Sequence, residues 1–570
     1  MRLARGTRAK VAVLMILGAS VFGCGGSDRP IRALLRVRVD PARRGTDALQ
    51  PLVARFYRER GFRPGWTSMI GARREAFQLE VALDRAAHEG LTRDRAEARR
   101  IQELLATLRP SIFGPAPEPR RLAELDVLLT RSYFAGARQV LGGRVRARDL
   151  PIDWGTGPRH ADLVRALEQT LDDHQVTESL RRLDPPHRGY ATLRAALGRY
   201  RAIASQGGWR ILRHGAPLVP GRAGARVAEL RARLAAEDDL GPMPADSTMF
   251  DRTLREAVLR FQRRYGLDTT GVVDADDVEA LGVPASARVR QIELNLERWR
   301  WLPDTLGERH LLVNIPEFML WVVEDGRTVG AMRVVVGKAS WPTPVLSAEV
   351  RYVVFNPLWH VPAKIAANEV LANVQRDPDY LARNNIRVYE GTGRDAVEID
   401  PYSVHWGMLS PEEMPYAFRQ DPGPENPVGH VKFMCPNPFN VYLHDTPSGQ
   451  YFRRTERALS HGCVRVEKPL VLAEYVLGAR AEWDRKGIAA AIDTSSNQAV
   501  TVPAPLPVHL FYFTAWVNEQ GEVEFRRDLY GLDDLLDRAL RGEALPTRGA
   551  LDQARDQNSL VRTTSNSSDR

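Results

Sequence analysis

Cys463 and the two histidines near it have the side chains needed for nucleophilic catalysis. Cys463 lies in Ser-His-Gly-Cys-Val-Arg, residues 460–465, and His444 precedes it in Tyr-Leu-His-Asp-Thr, residues 442–446. A catalytic cysteine attacks as the thiolate, so it needs a base or a cation beside it. His444 and His461 are both candidate bases, and their spacing from Cys463 excludes neither. These residue types predict an enzyme that transfers acyl groups through a thiol.

The predicted reaction has two halves. The Cys463 thiolate attacks a peptide carbonyl, and the imidazolium of the base protonates the leaving amine, which gives an acyl-enzyme thioester. A second amine then attacks the thioester, or water attacks it and the outcome is hydrolysis. Gly462 allows a close approach of the backbone, so the amides near Gly462 and Cys463 are candidates for an oxyanion hole.

This motif resembles that of the L,D-transpeptidases, which cross-link bacterial peptidoglycan and carry a histidine upstream of Ser-His-Gly-Cys or a near variant. The resemblance implies that His444 is the general base and that the backbone carbonyl of Asp445 orients its ring. Many members of the family have glycine at the position of Asp445, and His-Asp-Thr is similar to the long-chain subgroup. His461 is then expected to have a structural role or to lie beside the substrate.

The resemblance also implies a set of substrate-binding residues. Asn356 and Trp359 follow a predicted strand and are expected to shape the donor pocket, with ordinary packing as the alternative. Arg465 is expected to pair with a substrate carboxylate, which suits its guanidinium fork, or with an acid at the surface. Tyr442 is predicted to face the same side as His444, either in the site or in the core. The full expected set is Asn356, Trp359, Tyr442, Ser460, His461 and Arg465.

By resemblance, the chain is expected to be a cysteine-dependent acyltransferase that forms 3→3 cross-links between peptidoglycan stem peptides. The donor is a tetrapeptide stem, from which Cys463 releases the terminal D-alanine. The acceptor is the side-chain amine of a diamino acid in another stem, and carbapenems are expected to acylate Cys463. The alternatives are an L,D-carboxypeptidase, an enzyme that couples another amine, and a non-catalytic cell-wall-binding lipoprotein.

No cofactor or metal is implied by the resemblance. The chain has neither a Cys-x-x-Cys nor a His-x-x-x-His spacing, so a zinc site is not favoured. The remaining cysteine of this region, Cys435 in Phe-Met-Cys-Pro, is predicted to be a buried and inert thiol.

The charge of the chain fits several partners. The 570 residues carry a net charge of +9, and only six of the 80 basic residues are lysine. Attraction to an anionic polymer or a membrane is one interpretation, and a solvated arginine-rich surface is the other. Nothing beyond charge points to nucleic acid. By resemblance, the expected partners are stem peptides, glycan strands and a membrane.

The N-terminus predicts export to the periplasm. Arg2, Arg5, Arg8 and Lys10 precede a short apolar run from Val11, which is shorter than the roughly 20 residues of a spanning helix. The run ends at Val-Phe-Gly-Cys, which resembles a lipobox and implies acylation of Cys24. Ordinary secretion and a retained anchor are the alternatives.

The pattern before the catalytic motif is helical. Apolar residues recur with helical spacing from Leu52 onward, and Asp47–Trp66 resembles the start of the scaffold domain in long-chain L,D-transpeptidases. Residues 209–283 resemble a three-helix peptidoglycan-binding module, in which Gly266 is predicted to end a helix. A helix is predicted over Arg288–Pro303, which leads into the catalytic region.

Strands are predicted from His310 onward, with Glu-Asp-Gly at 324–326 as a hairpin turn. Residues 365–436 are rich in proline, acids and amides, which predicts an irregular insertion. We expect this insertion to be a lid over Cys463, and a surface excursion with no catalytic part is the alternative. The fold class is therefore a multidomain α+β protein with a mainly β catalytic domain. The predicted segments are a signal peptide (1–24), a linker (25–46), a scaffold (47–207), a peptidoglycan-binding-like domain (208–285), a connecting helix (286–308), a catalytic domain (309–545) and a disordered tail (546–570).

Overall fold

The computed structural model describes residues 28–39, 47–110, 115–157, 159–237, 248–391, 393–478 and 481–555. The predicted signal peptide and Cys24, the predicted site of acylation, lie outside the described residues. The prediction of a disordered tail at residues 546–570 is wrong for residues 548–555, which are helical. The Arg555 guanidinium donates to the Tyr530 carbonyl oxygen, which fixes this helix to the body of the protein.

Helices and strands are labelled in chain order. The helices are α1 (Arg29–Arg38), α2 (Gln50–Glu59), α3 (Arg74–His88), α4 (Arg95–Thr107), α5 (Pro119–Gly142), α6 (Leu163–Asp172), α7 (Arg188–Ser205), α8 (Ala225–Ala235), α9 (Arg252–Tyr265), α10 (Ala275–Leu281), α11 (Ala285–Trp299), α12 (Ala363–Ile365), α13 (Leu371–Arg376), α14 (Tyr380–Arg383), α15 (Pro469–Leu477), α16 (Arg485–Asp493) and α17 (Leu532–Arg541). The strands are β1 (Thr67–Ser68), β2 (Gly71–Ala72), β3 (Trp154–Gly155), β4 (Arg309–Asn314), β5 (Met319–Glu324), β6 (Arg327–Gly337), β7 (Val345–Phe355), β8 (Trp359–His360), β9 (Ile386–Glu390), β10 (Val397–Ile399), β11 (Tyr416–Gln420), β12 (Val431–Met434), β13 (Leu443–His444), β14 (Ala458–Ser460), β15 (Val464–Val466), β16 (Gln498–Phe511), β17 (Ala515–Val517) and β18 (Val523–Phe525).

The chain divides into two compact units. One unit comprises Met1–Ala137 with Ala161–Leu183, and the other comprises Arg138–His160 with Asp184–Arg570. The first unit is helical, as predicted for this part of the chain. No described helix of either unit has the length and apolar character that a membrane crossing requires.

A buried carboxylate organises the first unit. Asp126 on α5 accepts hydrogen bonds from the hydroxyls of Tyr57 and Thr67 and from the backbone N–H groups of Gly65, Trp66 and Thr67. Burial nevertheless raises the pKa of Asp126. A buried carboxylate is stable only when donors surround it in this way. Asp126 therefore fixes Tyr57 and the backbone of residues 65–67, most of which lie in the segment that resembles the start of a scaffold domain.

The second unit contains the region predicted as a small helical module. Helix α9 begins at Asp251, whose carboxylate accepts from the Leu254 N–H, and ends at Gly266 in the left-handed conformation with φ of +65°. The predicted end of this helix at Gly266 is confirmed. A capping box between Asp274 and Asp277 starts α10.

Helix α11 attaches the helical part of this unit to its strands. It spans Ala285–Trp299, so the predicted span of Arg288–Pro303 is shifted toward the C-terminus. The Asn295 side chain donates to Thr514 Oγ1 at 2.8 Å, and the buried Arg298 forms an ion pair with Asp533. Breaking a buried ion pair is costly because it leaves a buried charge without a partner. These contacts therefore fix α11 against the segment that follows β16.

The C-terminal strands form a closed sheet. Its order is β12-β13-β15-β6-β5-β4-β16-β7, and β12 pairs with β7 as well as with β13, so the sheet closes on itself. The interior holds Leu311, Leu320, Val334, Val353 and Val464, which are all fully buried. The predicted mainly β character of this region is confirmed.

Turn chemistry explains two features of the strand order. Asp325 and Gly326 both have positive φ, which fits the predicted two-residue hairpin between β5 and β6. The predicted run from Leu311 to Val323 is two strands, because a helical turn at Ile315–Glu317 containing Pro316 separates them.

The insertion between β8 and β12 contradicts the expectation of an irregular segment. Residues of this segment form a four-stranded antiparallel sheet in the order β10-β9-β11-β8, with helices α12, α13 and α14 beside it. Pro415 does not prevent this, because β11 starts immediately after it. Its apolar side chains form a separate core that includes Leu371, Leu381, Val388 and Phe418. The insertion is therefore a small folded subdomain.

Candidate active site

Strands β13 and β15 bring His444 and Cys463 together. They pair in parallel, with Leu443 opposite Val464 and His444 opposite Arg465. The Val464 N–H donates to the Tyr442 carbonyl oxygen at 3.1 Å, which places Tyr442 beside Cys463 at the start of the pair. This register brings the candidate base His444 next to the turn that holds the candidate nucleophile.

The His444 ring is oriented by the backbone of the next residue. His444 is buried, and its Nδ1 lies 2.5 Å from the Asp445 carbonyl oxygen. A carbonyl only accepts hydrogen bonds, so Nδ1 carries the proton and Nε2 has the free lone pair in the neutral ring. Burial and the positive charge of Arg465 lower the pKa of His444 to about 3. The imidazole is therefore neutral in the resting protein.

The Cys463 thiol is also uncharged at rest. Burial raises its pKa, while the backbone and hydroxyl of Tyr442 and the charges of Lys432 and Arg465 act in the opposite direction. Because the imidazole pKa is low and the thiol pKa is high, the resting pair consists of a thiol and a neutral base. Proton transfer then has to accompany the attack.

The turn before Cys463 is held by its own side chains. Ser460 Oγ donates to the Cys463 carbonyl oxygen at 2.6 Å and accepts from the Gly462 N–H at 3.2 Å. Gly462 has φ of +109°, a conformation that residues with a Cβ rarely adopt. Because the Gly462 N–H already has an acceptor, the Cys463 N–H is the better candidate for stabilising an oxyanion.

Hydrogen bonds from Thr343 and Tyr530 support this turn, and the sequence did not predict them. Thr343 Oγ1 donates to the Gly462 carbonyl oxygen at 2.8 Å and accepts from the Gly337 N–H at 2.9 Å. The Tyr530 hydroxyl donates to the Gly337 carbonyl oxygen at 2.6 Å. Tyr530 lies far along the chain in a segment without a recognisable motif, so no sequence signal identified it.

The Asp445 side chain has a structural function. Its carboxylate accepts from the backbone N–H groups of His430 at 2.8 Å and Thr446 at 2.7 Å. Gly429 packs so closely that a Cβ there would lie 2.4 Å from Asp445 Oδ2. Asp445 therefore fixes the end of the insertion to the strand of His444, while its carbonyl orients the ring.

His461 faces the insertion. Its Nε2 lies 2.7 Å from Glu369 Oε1, and its ring meets the edge of Trp341 with the ring centroids 4.7 Å apart. Lys364 Nζ lies 4.2 Å from the Trp341 ring centroid. A histidine engaged by a carboxylate of another subdomain suits the structural role that the resemblance implied, and this role stays a prediction.

Two predicted substrate-binding residues lie where β7 leads into the insertion. The buried Asn356 side chain donates to the carbonyl oxygens of Ile492 at 2.9 Å and Ala491 at 3.2 Å. These bonds attach the end of β7 to α16, so the side-chain amide already has partners within the protein. Trp359 is half-buried on β8, and its role in a donor pocket stays a prediction.

Two cations flank the thiol and rest on aromatic rings. Lys432 Nζ lies 3.8 Å from the Tyr442 ring centroid, and the Arg465 guanidinium lies 6.0 Å from that of Tyr451. Arg465 Nε is buried and has no hydrogen-bond partner among the residues that the structure describes. Burial lowers the pKa of both side chains. A single lysine on a strand carries no signal of its own, so sequence reasoning assigned no role to Lys432.

Cys435 lies near this site without contributing to it. It is buried, and its Sγ lies 3.5 Å from the Val441 carbonyl oxygen. Burial raises its pKa to about 12, so the thiol stays protonated. The predicted inert character of Cys435 agrees with this environment.

Three family models match consecutive parts of the chain. Residues 51–197 match "Scaffold domain", residues 223–281 match "Putative peptidoglycan binding domain" and residues 308–498 match "L,D-transpeptidase catalytic domain". The catalytic match contains both His444 and Cys463. The resemblance inferred from the sequence is thereby confirmed.

A curated relative is also described as an L,D-transpeptidase. A "Putative L,D-transpeptidase" of Haemophilus influenzae is 34% identical over 244 residues, which are 43% of this chain and 48% of the relative. The chain thus spans about half the length of the curated relative that it matches.

Solved structures are more distant. The L,D-transpeptidase of Xylanimonas cellulosilytica covers 52% of this chain and 100% of its own, with 16% identity and a TM-score of 0.17. That of Stackebrandtia nassauensis covers 52% and 97%, with 15% identity and a TM-score of 0.20. At such low scores these overlays support no conclusion about this chain.

Proposed function

We propose that the protein is a periplasmic L,D-transpeptidase that forms 3→3 cross-links in peptidoglycan through a thioester on Cys463. The observation that carries this proposal is the oriented His444 ring on the strand beside Cys463. Its Nδ1 is held by the Asp445 carbonyl oxygen at 2.5 Å, which leaves Nε2 as the base. The match of residues 308–498 to the L,D-transpeptidase catalytic domain supports the choice of reaction.

Acylation follows from this arrangement. As Cys463 Sγ bonds to the donor carbonyl carbon, the thiol proton moves to His444 Nε2. The C–N bond to the terminal D-alanine then breaks, and His444 returns the proton to the leaving nitrogen. The Cys463 N–H faces the developing oxyanion, so it supplies the stabilisation that such donors give.

Deacylation decides the product. An acceptor amine forms the new amide bond, its proton passes through His444, and Cys463 leaves as the thiol. Water in place of the amine gives a tripeptide, which is the L,D-carboxypeptidase alternative. The contact of His461 with Glu369 at 2.7 Å brings the insertion to the nucleophile turn, which favours a cover that limits the entry of water.

Substrate recognition is assigned to the residues around the thiol. Arg465 is half-buried and its Nε has no partner, so a stem-peptide carboxylate would satisfy it. A carboxylate there also offsets the charge that lowers the His444 pKa, which makes the histidine a stronger base when substrate is bound. Tyr442 is the other substrate-side candidate, because its hydroxyl contacts the thiol.

The remaining assignments concern attachment and inhibition. We assign glycan binding to the module at residues 223–281 and membrane attachment to an acylated Cys24. Carbapenems are strained acyl donors, so we expect one to acylate Cys463. These assignments rest on the sequence motifs and on the family matches.

Product analysis tests the proposed reaction. Purified protein incubated with disaccharide-tetrapeptide should release D-alanine and form a dimer joined between two diamino acid residues, which tandem mass spectrometry identifies. A 3→3 dimer is expected because the acceptor amine competes with water at the thioester. Tripeptide without dimer would instead support the carboxypeptidase alternative, and intact tetrapeptide would contradict both.

Breaking the contact between the insertion and the nucleophile turn tests the proposed lid. Glu369→Ala should raise the ratio of tripeptide to dimer by about two- to fivefold, because a single partly exposed hydrogen bond contributes little more than this. The measurement is the product ratio at a fixed concentration of tetrapeptide. Glu412→Ala, at an exposed acid elsewhere in the insertion, is the matched control and should leave the ratio unchanged. An unchanged ratio in Glu369→Ala would leave the insertion without a part in excluding water.

A further inference from the structure

The insertion presents a cation toward the catalytic sheet without an acid to neutralise it. Arg419 on β11 rests on the Tyr389 ring at 4.5 Å, and its Nε is buried without a hydrogen-bond partner. Within the described part of the chain, neither Arg419 nor Lys432 forms an ion pair, whereas Arg387, the cross-strand neighbour of Arg419, does. Partial burial of a cation costs free energy of hydration, which an anion or several hydrogen-bond acceptors compensate.

The topology brings Arg419 and Lys432 close to His360. Strand β7 pairs with β12, where Val354 lies opposite Lys432, and the chain continues from β7 directly into β8. His360 on β8 is the cross-strand partner of Arg419 on β11. His360 lies near enough to both cations that their charges lower its pKa, after the larger effect of burial.

The outer part of the same sheet face is neutralised. Arg387 on β9 is also a cross-strand partner of Arg419, and it bonds to Asp421 at 2.7 Å and to Glu398 at 3.4 Å. Asp421 and Glu398 therefore neutralise Arg387, which lies farther from β8. They do not neutralise Arg419, which lies beside His360 on the side where the chain connects to the catalytic strands.

The reaction supplies an anion at a fixed place beside the thioester. The leaving D-alanine carries a carboxylate on the carbon next to its nitrogen, and so does the D-centre of a diamino acid acceptor. Because the reaction is reversible, the incoming nitrogen approaches the acyl carbon from the position that the leaving nitrogen vacated. One cationic site can therefore serve both groups in turn.

We propose that His360, Arg419 and Lys432 bind the carboxylate next to the reacting nitrogen, first on the leaving D-alanine and then on the incoming amine. This inference rests on the proposed acyl transfer and specifies its acceptor class, which is an amine flanked by a carboxylate. In the transfer step, the amine nitrogen bonds to the acyl carbon and the C–S bond breaks. The amine proton passes through His444 to Cys463 Sγ, so the balance needs no further reactant.

Competition between two small acceptors tests this inference. The full-length protein is acylated with a tetrapeptide donor in the presence of D-methionine or D-methioninamide, and mass spectrometry measures the rate of each exchange product. The wild-type protein should favour the free acid. Arg419→Gln should reduce the ratio of acid to amide by about tenfold to a hundredfold, the contribution of a charge-assisted hydrogen bond. The different basicity of the two amines cancels when the ratios are compared.

Arg387→Gln is the matched control, since it removes an arginine of the same sheet face that already has acidic partners. Its ratio should equal that of the wild type. His360→Ala is a second test at a side chain that is only partly buried, and it should lower the ratio by about two- to fivefold.

The result that would overturn the inference is a wild-type ratio in both Arg419→Gln and His360→Ala, or equal slowing with both acceptors. Failure of the proposed function looks different. In that case the wild-type protein forms no exchange product with either acceptor and no thioester with the donor.

Discussion

Cys463→Ala is expected to abolish D-alanine release, cross-linked dimer and thioester formation together. The sulfur is the only atom that bonds to the donor carbonyl carbon, so no residual transfer is expected. The change removes one partly buried atom from a turn held by Ser460 and Thr343. The variant should therefore remain folded, as circular dichroism and its melting temperature would verify.

The matched control is Cys435→Ala. Cys435 is buried two strands away from Cys463, and its pKa of about 12 keeps it protonated. Turnover in this variant should equal that of the wild type. Turnover that survives in Cys463→Ala, or is lost in Cys435→Ala, would mean that the nucleophile has been assigned to the wrong cysteine.

His444→Gln should slow thioester formation by about 10²–10⁴-fold, the usual contribution of a positioned general base. Glutamine keeps a donor for the Asp445 carbonyl oxygen, so the loss reports the missing base more than a disturbed strand. The rate is measured by intact-protein mass after mixing with a tetrapeptide donor. His461→Gln is the comparison, because its contact with Glu369 gives it a supporting role, and it should retain most of the rate.

The low pKa of His444 has a consequence for pH. A histidine of ordinary pKa, about 6.5, would be mostly protonated at pH 5 and unable to accept the thiol proton. His444 has a pKa of about 3, so its neutral form is present throughout this range and is lost only in stronger acid. Between pH 5 and pH 7, the rate of thioester formation by the free enzyme should therefore show no inflection caused by His444. Such an inflection would be recognised because it would disappear in His444→Gln. Such an inflection would show that the ring is more solvated than its burial indicates.

The sequence predicted the parts of the site that depend on local motif. Ser460, Gly462 and Cys463 form one turn, and the role of the Asp445 carbonyl requires only the residue after the histidine. Such features are encoded within a few residues of each other.

The sequence did not predict the parts that depend on distant contacts. Proline and acid content made residues 365–436 look irregular, yet Pro415 falls just before β11 and the strands pair with one another around a separate core. Tyr530 supports the nucleophile turn through Gly337, and Arg419 lies opposite His360 only because β11 pairs with β8. Long-range packing of this kind leaves no periodicity or spacing in the chain.

The most direct test of the account is the intact mass of the wild-type protein mixed with a tetrapeptide donor whose side-chain amine is blocked. With no acceptor present, the acyl-enzyme should accumulate as a mass increase equal to the acyl tripeptide. Peptide mapping should place that mass on Cys463, and hydroxylamine should remove it as expected for a thioester. An adduct on a serine or on Cys435, or D-alanine release without any adduct on Cys463, would contradict the account.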